Sequence, residues 1–106
     1  MNTPLPSVGH AYEVRFGETV FRLDFDTDAR HLTFSSLGEA ISNEPDQTVE
    51  YTAVPLRDGL FLVYWQEATG TTVTHVQDYA QGLVHTNITG TDDSFFNSTG
   101  TLKPLD

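Results

Sequence analysis

Residues 58–89, DGLFLVYWQEATGTTVTHVQDYAQGLVHTNIT, hold the side chains of this chain best suited to chemistry, and the pair Trp65 and Glu67 stands at their centre. On a β-strand side chains alternate, so Phe61, Val63, Trp65 and Glu67 share one face while Leu60, Leu62, Tyr64 and Gln66 share the other. Turned into a core, the first face offers an aromatic wall, Trp65 beside Val63, and one orienting carboxylate, a composition common in small-molecule sites. Desolvation beside the indole pushes a carboxyl pKa upward, toward the range in which it serves as general acid or base near neutral pH. Both faces are apolar, so the pattern alone does not choose between them; we take Trp65 and Glu67 as inward. The alternative is a Glu67 in water at a strand end, paired with a turn amide.

Asp78 lies on the neighbouring strand. There it either joins Glu67 as a second carboxylate in the same cavity or opens the turn 78–82, as aspartate does before a glycine-closed turn. His75 and His85 sit on adjacent strands, where cross-strand neighbours approach to metal-ligand distance. Without a clustered third ligand they make an incomplete site, and no metal or other cofactor is expected. His10 and His31 start strands and add nothing to that argument. No phosphate-binding glycine loop, nucleophile elbow or dinucleotide fingerprint occurs.

The elements that must position these residues are strands. Helical periodicity is nearly absent and turn signals recur about every ten residues, as in an all-β sandwich or barrel. Strands are expected over 10–16, 19–25, 30–35, 48–54, 60–67, 71–79, 83–89 and 94–102, with turns at Gly17, 26–28, 56–59, Thr69-Gly70, 78–82 and 90–93. Residues 37–47 form the longest irregular piece, polar and closed by Glu44-Pro45-Asp46, a natural lid or rim. Eight antiparallel strands in sequence order, with short connections and no helices to cover a face, close most economically on themselves, because closure removes exposed edges. An eight-stranded barrel is wide enough to be filled by its own side chains or to hold one small ligand.

With 106 residues and 38% hydrophobic content the chain makes a single domain, 1–106, with one core. Fifteen acidic against five basic side chains give a net charge of −10, and the basic ones are scattered, so phosphate backbones and anionic membranes are repelled. No nucleic acid and no membrane partner is expected. The absence of cysteine excludes disulfides, thiolate zinc sites and thiol nucleophiles. The first ten residues lack a secretory pattern and no apolar run approaches the ~20 residues that span a bilayer, so a soluble cytoplasmic protein is the expectation. The sequons at Asn87 and Asn97 are then accidental.

The run 62–73, LVYWQEATGTTV, resembles two related groups of calycin-like (lipocalin-like) barrels, the MoaF-related group and the phenolic acid decarboxylases. Length and strand order resemble the first over the whole chain, with Tyr12, the Trp65-Glu67 pair, the Gly70 turn, Asp78 and Thr86-Asn87-Ile88 at recurring positions. The second resembles it most closely over 59–73. The resemblance implies an eight-stranded antiparallel up-and-down calycin-like barrel. In the decarboxylases the glutamate is catalytic, and two tyrosines on the first strand with an arginine bind the substrate carboxylate. Glu67 falls on that glutamate and Tyr12 on the first tyrosine; the second falls near Val14, and 43–47, where the arginine belongs, has none.

Together these readings make Glu67 and Tyr12 the candidate catalytic residues, and Trp65, Val63, Asp78, Thr86 and Val14 the candidate ligand contacts. The leading expectation is a barrel holding a small apolar or aromatic metabolite against Trp65 and Tyr12, oriented by Glu67. A cofactor-free lyase or isomerase with Glu67 as general acid and base is one alternative, and a filled, non-catalytic structural barrel the other. The leftover apolar face, Leu60, Leu62 and Tyr64, is a candidate homodimer interface, since such patches are seldom left in water.

Overall fold

The computed structural model describes residues 4–37 and 46–105. Eight strands run in order: β1 (Ala11–Phe16), β2 (Thr19–Phe25), β3 (His31–Leu37), β4 (Gln47–Arg57), β5 (Leu60–Gln66), β6 (Thr72–Asp78), β7 (Leu83–Thr89) and β8 (Phe95–Pro104). Each pairs antiparallel with the next and β8 returns to β1, closing the up-and-down barrel expected from the sequence. No described helix is long and apolar enough to cross a membrane.

Alternation sets what fills the barrel. On β5, Phe61, Val63 and Trp65 are buried, whereas Leu60 and Leu62 are half-buried and Tyr64 is exposed, so the two apolar faces of this strand are resolved in favour of the indole side. Val14 and Phe16 of β1, Leu23 and Phe25 of β2, Leu32 of β3 and Val49 and Tyr51 of β4 complete much of the core. The charged partners lie outside: Arg22 pairs with Asp24, Arg30 with Glu50, and Arg15 with Glu13.

Several boundaries depart from expectation, β8 among them, which runs on to Pro104. β4 does not stop at Val54 but continues to Arg57, leaving only Asp58-Gly59 for the turn; the pairing slips between Pro55 and Arg57, and the irregularity accommodates a proline that cannot donate to the ladder. β3 likewise runs on to Leu37. The lid or rim expected at 37–47 lies, for 38–45, outside the described residues.

The two ends of the barrel are built differently. One carries the turns after β2, β4 and β6, and residues 4–10 lie across it, with Leu5 and Ser7 buried. Gly9 N–H donates to the Phe25 carbonyl at 3.0 Å and His10 N–H to that of Ser7 at 2.9 Å, tying the segment to the rim. The other end carries the turns after β1, β5 and β7. At the seam where β8 meets β1, Gly100 brings the two backbones so close that a Cβ there would run into the carbonyl oxygen of Arg15.

Candidate functional site

A cavity of about 60 Å³ opens inside the barrel toward the end bearing the β5–β6 turn. Val14, Phe16, Phe21 and Leu23 from β1 and β2 wall one side. Phe34, Trp65, Val73 and Ile88 extend the apolar lining, and His75, Thr86 and Glu67 supply its polar groups. Each side chain arrives there by strand alternation, and the register sets the neighbours: Trp65 lies opposite Val73, Val63 opposite His75, and His75 opposite Thr86.

Trp65 stacks on Phe34 with ring centroids 6.2 Å apart and planes 30° from parallel, and meets His75 edge-on at 5.0 Å. Glu67 follows directly on β5, where the turn holds it over the mouth. Its N–H donates to the Thr71 carbonyl and its carbonyl accepts from Gly70 N–H, both at 2.8 Å. The turn closes because Gly70 takes a positive φ of 99°, a conformation that strains other residues.

His75 is the buried pivot of the site. Its Nδ1 lies 3.0 Å from Nε2 of Gln77, and the Gln77 amide oxygen accepts from the Tyr79 hydroxyl. Tyr79 in turn lies 2.9 Å from the Ser7 hydroxyl. Gln77 and Ser7 are fully buried. An amide nitrogen only donates, so Nδ1 accepts and the imidazole proton sits on Nε2. Burial lowers the His75 pKa to about 3, so the ring is neutral. The Tyr79 hydroxyl is pushed well up by the same cause, softened by the Ser7 hydrogen bond.

Trp65 Nε1 and Thr86 Oγ1 are buried without a hydrogen-bond partner. A buried polar group left unpaired costs about 1–3 kcal/mol.

Of the residues singled out from sequence, Glu67, Trp65, Thr86 and Val14 line the cavity, and Val63 is buried in the barrel interior. Tyr12 and Asp78 are elsewhere. Tyr12 packs edge-on against Tyr79 at 5.5 Å, toward the closed end, and is not in the cavity lining. Asp78 ends β6 at the far end of the barrel from Glu67, where its carboxylate accepts from Ala80 N–H at 3.1 Å and Gln81 N–H at 3.0 Å. The carboxylate pair therefore does not form; Asp78 caps the turn after β6. His75 and His85 are on opposite faces, His75 inward and His85 bonded to Thr99 outside, and no metal-binding cluster of His, Cys, Asp or Glu exists among the described residues.

All five basic side chains are exposed. Arg15 and Arg22, on β1 and β2, point away from the cavity toward Glu13 and Asp24. With Tyr12 also removed from the lining, the carboxylate clamp implied by the decarboxylase resemblance is not assembled among the described residues.

A search of curated proteins finds no match. Among solved structures, the crystal structure named "putative beta-lactamase from Burkholderia vietnamiensis" is similar along the whole barrel, with a TM-score of 0.89 and 28% sequence identity over 98% of this chain and 100% of that one. The model of one family, described as MoaF-like, matches residues 8–103, nearly the whole barrel. The chain belongs to the MoaF-like family.

Proposed function

We propose that this protein is a small-molecule-binding barrel that takes a mostly apolar or aromatic ligand at its open end. Trp65 and Phe34 form the aromatic wall and Glu67 orients the ligand at the mouth. The observation that carries this reading is the apolar cavity walled by aromatic rings with the Glu67 carboxylate at its rim. Tyr12 is not part of it.

The name carried by the similar crystal structure does not transfer readily. The chain has no cysteine and no Ser-x-x-Lys run, so an acyl-enzyme of the usual serine type lacks its nucleophile and base. A lyase using Glu67 has its proton-transfer group at the cavity but no cation to hold an acidic substrate.

Fluorescence of Trp65, the only tryptophan, tests the reading in a titration with aromatic acids, phenols and fatty acids. Saturable quenching, altered in Glu67→Gln while the fold persists, is the expected result. A flat response across the panel overturns it. We also propose that a second copy of the chain covers the outer face of β4 and β5, where Val54 and Tyr64 are 38% and 42% exposed. A monomer in sedimentation at micromolar concentration removes that part.

A further inference from the structure

The polar groups of the cavity are not a random assortment. His75, Trp65 and Thr86 are each more than nine-tenths buried. The chain Ser7 hydroxyl, Tyr79 hydroxyl, Gln77 amide, His75 Nδ1 runs in one direction from the closed end, each group donating to the next. Its last member leaves Nε2–H of His75 as the free donor. Trp65 Nε1–H can only donate and has no partner, and Thr86 Oγ1 has none either. The acceptor of the site, the Glu67 carboxylate, stands at the mouth.

Resting on the binding role proposed above, we infer that the inner wall of the cavity recognises a neutral carbonyl group, whose oxygen accepts from the His75 Nε2–H donor while its hydrocarbon body lies among Phe21, Phe34 and Ile88.

An anionic head is disfavoured on three grounds. His75 carries no charge in its buried position. Every basic side chain is exposed, and Glu67 with the net charge of −10 repels anions at the entrance. A head that only donates would meet donors facing it. The free space of about 60 Å³ is near the share of two waters in the liquid, about 30 Å³ each, which suits an acetyl-sized head with its body extending through the mouth.

The test uses the full chain labelled with ¹⁵N, in which the single tryptophan gives one indole N–H signal. Three probes of nearly one shape are titrated: acetophenone, α-methylstyrene, which replaces the carbonyl oxygen by CH₂, and benzoate. Acetophenone is expected to bind at least about tenfold more tightly than α-methylstyrene, the factor that one hydrogen bond in a buried site commonly confers, and to shift the indole signal of the cavity-lining Trp65. His75→Phe should abolish that preference. Equal affinity for acetophenone and α-methylstyrene overturns the carbonyl inference and leaves a cavity that selects by shape. Benzoate binding most tightly overturns it in favour of an anion site. No perturbation by any of the three overturns the inference and the binding role together. The ring nitrogens of His75 in the unmodified protein give a check independent of any variant: a proton on Nε2 is expected, and a proton on Nδ1 reverses the direction of the chain and removes the donor.

Discussion

The closed and open ends of the barrel use the same residue types to opposite effect. At the closed end Phe25 and Tyr51, Phe61 and Tyr79, and Tyr12 and Tyr79 all meet edge to face, at 5.5, 5.9 and 5.5 Å. Leu5 and Ser7 lie buried over them, with a hollow of about 270 Å³ beside Leu5, Tyr51 and Phe61. At the open end Phe34 and Trp65 stack with a space beside them, Trp65 also meeting His75 edge-on, and each end buries unpaired polar atoms, the Tyr51 hydroxyl at the first and Trp65 Nε1 and Thr86 Oγ1 at the second. Edge-to-face rings interlock in three dimensions and fill volume, whereas a stacked pair presents a flat wall. Three interlocked ring pairs thus hold one end and a stacked pair walls the cavity at the other, with the Ser7-to-His75 chain joining them.

Removing packing at the closed end is the strongest way to break this contrast. Phe61 is 1% exposed, and Phe61→Ala should lower stability by about 3–5 kcal/mol in urea denaturation. A loss below about 1 kcal/mol would mean the closed end is not the stabilising half. The next effect is pH-dependent. His75 titrates near 3 when folded against 6.5 as the free group, so between those values the unfolded chain takes up a proton that the folded chain refuses. Stability therefore falls as pH drops below 6.5, by at most about 1.4 kcal/mol per unit from this group. The same denaturation series in His75→Phe should lose that component; an identical slope in both proteins would remove His75 as its source.

Tyr79→Phe cuts the chain between the two ends, leaving Ser7 and Gln77 without their shared partner. A loss of about 1–2 kcal/mol is expected, together with a change in the His75 ring ¹⁵N shifts. If the shifts stay put, the ends are independent. The smallest effect on stability belongs to the rim: Glu67→Gln should alter ligand affinity while the fold persists. A large destabilisation would turn Glu67 from a ligand-orienting group into a structural one.

Much of the architecture was legible because its signals are local. Turn residues bound every strand, and period-two alternation placed Val63 and Trp65 on one face before any coordinate was known. What alternation could not supply is which end of a strand meets which neighbour. Glu67 and Asp78 were considered as a pair because both lie on β5 and β6 flanks, yet an antiparallel hairpin sends them to opposite ends. Tyr12 was drawn into the site by resemblance, and its position down the barrel axis depends on shear, which a single sequence does not display. His75 was weighed only as a metal ligand. Counting register outward from the Gly70 turn would have set it opposite Val63, on the indole face, but its role as the end of a buried hydrogen-bond chain depends on Ser7, distant in sequence and joined only by folding.

The near-contact of Gly100 with Arg15 has a consequence for how the molecule is made. Pairing β8 with β1 joins residues about as far apart in the chain as this protein allows, such as Val14 with Leu102 and Tyr12 with Pro104. Long-range closure of this kind is entropically slow, so ring closure should limit the folding rate. Before it occurs, a ribosome-bound chain of seven strands displays two unpaired edges, the state most open to strand addition by other copies. Any side chain larger than hydrogen at position 100 would hold the seam ajar, and its first sign would be aggregation during synthesis rather than lost binding.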